Sequence, residues 1–135
     1  MKLFFKSKDG GEDSNVTGYW LIEWKEVFSI VLLRFDRGSR EAFHNHAFNA
    51  VSWVLRGRLF EVLKYHHKVV RLPASLIPVF TSKSRMHKVH GMADKTWVLS
   101  FRGPWDDQWQ EHYNNTTTTL SSGRVVVKEE PDGRQ

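Results

Sequence analysis

The sequence contains no cysteine and only four prolines among its 135 residues. Without cysteine the chain forms neither a disulfide framework nor a thiolate metal site, so nitrogen and oxygen ligands must hold any bound metal. No apolar run approaches the ~20 residues of a membrane-spanning helix, which argues against a membrane partner. Residues 1–11 also hold too short an apolar stretch for a secretory signal, and we therefore expect a cytoplasmic protein.

The composition is that of one globular domain. Hydrophobic residues make up 40% of the chain, and six tryptophans and nine phenylalanines supply bulky core material. Twenty lysines and arginines exceed fifteen acidic residues, which gives a net charge of +5. The basic residues are scattered among acidic ones, a pattern that favours a solvated surface over a nucleic-acid interface. The sequence also lacks a nucleophile elbow, a phosphate-binding glycine-rich loop and a His-Glu-x-x-His motif, so nothing points to those catalytic classes.

Short runs of β-branched and aromatic residues recur along the chain, separated by turn residues. No full window keeps a helical apolar period, so the pattern predicts an all-β sandwich or barrel. We predict strands at 1–6, 18–25, 27–35, 41–46, 50–56, 58–65, 69–70, 79–80, 85–90 and 96–101. A turn is predicted at 91–95, and residues 105–113 form either a short terminal strand or a packed lid.

The character of the sequence changes after residue 113. The Asn-Asn-Thr-Thr-Thr-Thr run that begins at Asn114 is polar and low in complexity, which predicts a linker. Residues 125–127, three valines, could add an edge strand, whereas residues 128–135 should be loose. The sequence therefore predicts a barrel domain over residues 1–113 and a polar C-terminal tail over residues 114–135.

Two histidines one residue apart, His44 and His46, lie in a predicted strand. Because side chains alternate between the faces of a strand, both imidazoles can point to one spot. Imidazole is the commonest metal ligand at physiological pH. The pair therefore predicts half of a metal site, although a His-x-His pair also arises by chance in a chain with seven histidines.

The stretch around these histidines resembles the first motif of the cupins, which are small jelly-roll barrels. That motif is a glycine, five residues, His-x-His, three or four residues, a glutamate, six residues and a glycine. The spacing matches Gly38, His44, His46 and Gly57, and the glutamate position is occupied by Ala50, or by Val51 with the longer gap. The resemblance implies an all-β fold, a single-domain cupin-type jelly-roll barrel.

Three blocks resemble, more narrowly, a group of small single-domain cupins known mainly from bacterial and phage genomes, with no assigned activity. The blocks are residues 43–57, 87–89 and 96–109, and the likeness covers about residues 19–113. The second cupin motif contributes one more histidine from a later strand, and His87 fits that position. The resemblance thus implies a metal site of His44, His46 and His87.

Three neutral imidazoles suit a divalent first-row ion (Fe, Mn, Ni or Zn) and leave coordination positions open for water or substrate. Such a set leaves the ion its full charge, which favours an anionic substrate and strengthens the Lewis acid. The set stays at three unless Glu61, on the neighbouring strand, reaches the ion. His90 lies an odd number of positions after His87 and should face away, and His66-His67 should be exposed at a turn.

Four further residues are candidates for a substrate pocket. Ser52 has the strand parity of the pocket face, and Glu61 lies on the next strand. Arg56 and Arg102 lie at strand ends, where a guanidinium can hold a carboxylate or phosphate with two hydrogen bonds. Packing for Ser52 and surface salt bridges for the two arginines are the simpler alternatives.

Cupin resemblance implies a metal-dependent dioxygenase, isomerase or lyase that acts on a small polar or anionic substrate. The rival hypothesis is a cupin without metal that binds a small molecule or a protein and catalyses nothing. Nucleic-acid binding is a third and weaker hypothesis. Because an open sheet edge needs cover and cupins commonly pair through edge strands, we also expect a homodimer.

Overall fold

The computed structural model describes residues 1–39, 43–64, 68–121 and 124–131. The described residues contain twelve β-strands, all in antiparallel pairs within one sheet. The strands are β1 (Lys2–Lys8), β2 (Val16–Trp24), β3 (Phe28–Gly38), β4 (Phe43–His44), β5 (Ala50–Arg56), β6 (Arg58–Leu63), β7 (Lys68–Pro73), β8 (Val79–Thr81), β9 (His87–Arg102), β10 (Gln108–Tyr113), β11 (Thr116–Ser121) and β12 (Val125–Pro131). The predicted all-β class is confirmed. Within the described ranges, no helix has the length and apolar character needed to cross a membrane.

Strand β9 is the central element of the sheet. One of its edges pairs with β3 and β4, and the other pairs with β5 and β6. The main strand order is β1-β2-β3-β9-β4-β10-β11-β12, while β8 extends from β5 and β7 extends from β6. This branching at β9 lets the sheet roll into a barrel, so the predicted jelly-roll architecture is also confirmed.

The barrel core follows from residue alternation along the central strands. In β3, Ser29, Val31 and Leu33 are buried, while the residues between them are half-buried. The same alternation along the neighbouring strands turns one side chain in two toward the interior. The buried cluster consists of Trp20, Val31, Leu33, Val54, Leu59 and Val98.

The predicted turn at 91–95 is wrong, because β9 runs without interruption for 16 residues. Glycine and aspartate in this stretch suggested a turn, but the pairing of Gly91 and Lys95 with β3 outweighs that local preference. A Cβ at Gly91 would collide with the backbone carbonyl oxygen of Asp36. The glycine therefore serves close strand packing and not a reversal of the chain.

The region after residue 113 also differs from expectation. Residues 116–121, predicted as a linker, form β11, which pairs with β10. Its four threonines are β-branched and favour strands, a preference that low complexity concealed. The valines at 125–127 lie in an edge strand, β12, which extends to Pro131. The boundary drawn at residue 113 stays a prediction.

Several smaller predictions can be compared with the structure. The tight turn at Gly57 is present, with φ of 89°, and a Cβ there would collide with Thr96. Only Phe43–His44 of the strand predicted at 41–46 is assigned to β4, and residues 40–42 lie outside the described part. His66-His67 also lie outside the described residues.

Candidate metal centre

Three histidines from two distant parts of the chain meet inside the barrel. Strands β4 and β9 place His44 directly opposite His87 in the register, and His46 follows two residues later. The ring centroids of His44 lie 4.9 Å from those of both His46 and His87, and the His46 and His87 centroids are 5.1 Å apart. One ring nitrogen from each residue can be chosen so that all three lie within 4.8 Å of one another.

The backbone after β4 is held in place by strand β10. The Asn45 backbone N–H donates to the Gln110 carbonyl at 3.1 Å, and the Gln110 backbone N–H donates to Asn45 Oδ1 at 2.7 Å. The ring of His46 packs on Phe48 with centroids 5.0 Å apart. These contacts fix the two histidines of the His-x-His motif relative to the sheet.

A buried carboxylate orients His87 from behind. Glu61 on β6 is 2% exposed, and its Oε1 accepts a hydrogen bond from His87 Nδ1 at 2.7 Å. The same oxygen accepts from Arg85 Nη1 at 3.2 Å. Burial raises the pKa of Glu61, but the hydrogen bond from His87 and the positive charge of Arg85 outweigh burial, and the net pKa is lowered. The carboxylate is therefore ionised, and it keeps a proton on His87 Nδ1.

The donor set fits a divalent first-row ion. With its proton on Nδ1, His87 turns the lone pair of Nε2 toward the cluster. Nε2 of His87 lies 3.0 Å from Nε2 of His46. Two nitrogens that each lie ~2.0–2.1 Å from one ion are roughly 2.8–3.4 Å apart at cis or tetrahedral angles, and the 3.0 Å separation of this pair falls in that range. A pair of nitrogens near the 4.8 Å limit must close up before both reach one ion.

The histidines line one part of a cavity of about 560 Å³ that runs through the barrel. Apolar side chains such as Leu33 and Val98 form much of its wall. Polar side chains, among them Ser52 and Arg102, also line the cavity. Cavities of this size and character hold small molecules in many proteins.

The structure separates the four predicted pocket residues. Ser52 lines the cavity, where its hydroxyl hydrogen-bonds to the Ser100 hydroxyl at 3.0 Å, and Arg102 lines it as well. Glu61 also lines the cavity; it lies behind His87 and stays outside the three-residue ligand cluster. Arg56 is exposed beside a shallow surface depression with Trp97 and does not line the central cavity.

His90 lies outside the cluster, as its parity predicts. It is the register partner of Phe60, and the two rings stack with centroids 4.5 Å apart. Sequence reasoning missed two charged side chains that support the cavity residues. They are Arg85, which pairs with Glu61, and Asp9, which pairs with Arg102 across 93 residues of sequence. No local pattern marks such partners.

No protein-family model matches the sequence, and a search of curated proteins finds no match. Solved structures do match the fold. A sugar phosphate isomerase of the cupin superfamily from Silicibacter pomeroyi superposes with a TM-score of 0.60 at 12% identity, over 95% of this chain and 92% of that one. An RmlC-like cupin from Shewanella frigidimarina gives a TM-score of 0.54 at 18% identity, over 72% and 81%.

A third similar structure is iron(II) HppE, with a TM-score of 0.58 at 15% identity. The match covers 73% of this chain but only 56% of that protein, so this chain spans little more than half its length. Identities this low establish architecture and leave substrate and reaction open. The chain therefore has the cupin fold.

Proposed function

We propose that this protein is a metal-dependent cupin. His44, His46 and His87 would hold one divalent first-row ion, namely Fe, Mn, Ni or Zn, beside a cavity that receives a small polar or anionic substrate. The observation that carries the proposal is the convergence of three imidazoles with a buried carboxylate behind one of them. A carboxylate–histidine pair of this kind is the usual support of a metal-binding imidazole.

The reaction class that we propose is isomerisation or dioxygenation of that substrate. A sugar phosphate isomerase and an iron(II) protein share the fold, which supports both options by analogy. When bound, the ion supplies a Lewis acid for a substrate oxygen.

The chain's own residues have separate roles in this proposal. Glu61 holds the Nδ1 proton of His87, so that the lone pair of Nε2 stays available to the ion. The apolar wall displaces water from the substrate, and this strengthens the electrostatic contacts that remain. The Ser52 and Ser100 hydroxyls line the cavity and can donate hydrogen bonds to a polar substrate group.

One observation favours a second candidate function. The 3.0 Å contact between His46 Nε2 and His87 Nε2 is also a good hydrogen bond if His46 carries its proton on Nε2. The cluster is then satisfied without an ion, and the protein would be a metal-free cupin that binds a small molecule or a protein without catalysis.

Metal content distinguishes the two functions. Purified protein is incubated separately with Fe²⁺, Mn²⁺, Ni²⁺ and Zn²⁺, desalted, and analysed by inductively coupled plasma mass spectrometry. We expect stoichiometric metal in the parent and almost none in a His44→Ala, His46→Ala double variant. His90→Ala is the matched control, because it removes an imidazole outside the cluster and should keep the parent's metal. Absence of metal from the parent under all four conditions removes the first proposal and leaves the second.

A further inference from the structure

A second polar group lines the same cavity as the histidines. Arg102 is the last residue of β9, and its side chain faces inward and is 4% exposed. Asp9 accepts hydrogen bonds from its two terminal nitrogens, at 2.8 Å from Nη2 to Oδ2 and 3.5 Å from Nη1 to Oδ1. The guanidinium carbon also lies 4.6 Å from the Phe48 ring centroid and 5.2 Å from that of Trp20. Arg102 is thus held rigidly at one edge and on its planar faces.

The remaining edge of this guanidinium has no acceptor. Nε of Arg102 is buried and makes no hydrogen bond to any residue in the described ranges. The same holds for the indole nitrogen of Trp105, whose ring lies 5.0 Å from the Phe48 ring. Both residues line the cavity, and both nitrogens can only donate. Buried donors are almost always paired, so these two unpaired donors, on residues that both contact the Phe48 ring, indicate that an acceptor binds in the cavity.

From this arrangement we infer that Arg102 and Trp105 bind the anionic group of the substrate, a carboxylate or a phosphate. The anion accepts from Nε and the adjacent Nη of Arg102, the second edge on which a guanidinium binds an oxyanion with two hydrogen bonds. The Trp105 N–H donates to the same group. Phe48 contacts both the Arg102 guanidinium and the His46 ring, so this subsite lies within one aromatic ring of the proposed ion.

Asp9 sets the strength of this subsite. Its carboxylate positions Arg102, and its negative charge opposes a second anion on the same guanidinium. Replacement by asparagine keeps one acceptor and removes the charge. The inference therefore predicts opposite effects from the two members of one ion pair: loss of binding without Arg102 and tighter binding without the Asp9 charge. A merely structural ion pair has no such signature.

The inference rests on the proposed function for its substrate, but its test uses protein without metal. Inorganic phosphate and succinate are titrated by calorimetry into chelator-treated protein, with glycerol as the neutral probe. We expect the parent to bind one or both anions, Arg102→Gln to bind at least tenfold more weakly and Asp9→Asn several-fold more tightly. Trp105→Phe keeps the ring and should weaken binding several-fold, so the test survives if Arg102→Gln fails to fold. A preference between the two anions identifies the group that the substrate carries.

The His44→Ala, His46→Ala variant separates this inference from the proposed function. Its anion binding should equal that of the metal-free parent even though it binds no metal. Loss of anion binding in this variant would place the anion on the histidines and overturn the inference. Absence of anion binding by the parent, or equal binding by the parent, Trp105→Phe and Asp9→Asn, would overturn it as well.

Discussion

Two groups of polar residues that line the central cavity are opposite in chemical character. In the first, which we call the histidine group, three imidazoles offer lone pairs, and a buried carboxylate supports one of them. In the second, which we call the arginine group, Arg102 and Trp105 offer only N–H donors. The first group suits a cation and the second an anion. A ligand that fits both groups therefore carries an anionic group at a fixed distance from an oxygen that can meet the proposed ion.

The two groups also differ in how the chain assembles them. His44 and His46 are neighbours in sequence, and only His87 has to be brought in by pairing of β4 with β9. Arg102 and Asp9 are 93 residues apart in the sequence. The histidine group is thus encoded largely by a local motif, whereas the arginine group exists only in the folded barrel.

The largest expected effect tests whether a divalent ion stabilises the protein only through the histidine group. A divalent ion at about 100 times its Kd should stabilise the parent by about 2.7 kcal/mol, because only the folded chain assembles the three ligands. Thermal unfolding with and without the preferred ion measures this. The His44→Ala, His46→Ala variant should show no shift, and a shift equal to that of the parent would place the cation elsewhere.

The next effect tests the carboxylate behind His87. Glu61→Gln keeps the size of the side chain but no longer fixes the His87 proton on Nδ1 as strongly. We expect metal affinity to fall about 10- to 100-fold, which corresponds to about 1.4–2.7 kcal/mol, with phosphate binding unchanged. Competition with a metallochromic indicator measures the affinity. Asp36→Asn, which also removes a carboxylate paired with an arginine, is the control. An equal loss of metal affinity in this control would show that Glu61 has no specific role in metal binding.

A smaller effect on stability is expected at the arginine group. Asp9→Asn leaves the buried Arg102 guanidinium without a full counter-charge. Breaking a fully buried pair costs about 3–5 kcal/mol, but Asp9 is 29% exposed and asparagine keeps an acceptor, so we expect ~1–2 kcal/mol. Urea unfolding measures the loss. Added phosphate should increase the free energy of unfolding more in this variant than in the parent. An equal increase in both proteins would contradict competition between Asp9 and the anion.

Sequence reasoning was most successful where the signal was local or repetitive. Alternating apolar residues and frequent turn residues predicted the all-β class, and the resemblance of Gly38, His44, His46 and Gly57 to the first cupin motif implied the architecture. Resemblance to the second cupin motif led to His87. These features depend on residues close in sequence or on a pattern that the whole family shares, so they can be recognised in a single sequence.

The failures share a physical cause, which is that tertiary pairing overrides local preference. Residues 91–95 resemble a turn but lie in β9, because β3 pairs with Gly91 and Lys95. Residues 116–121 resemble a linker but form β11 against β10. Glu61 lines the cavity as predicted, but its hydrogen bond with His87 depends on the register of β6 against β9. No pattern within one strand reveals such a register.

We expect the smallest effect from replacement of Arg56, which looks equivalent to Arg102 in the sequence. Arg56 and Arg102 both end strands, yet Arg56 is exposed beside Trp97 while Arg102 is buried in the cavity. Exposed side chains outside special contacts usually change stability by less than about 0.5 kcal/mol, so Arg56→Ala should leave unfolding, metal content and phosphate binding near the parent values. Calorimetry and urea unfolding check this. If Arg56→Ala weakened phosphate binding as much as Arg102→Gln, general positive charge and not a built subsite would account for the anion, because the two residues share only their charge and their place at a strand end.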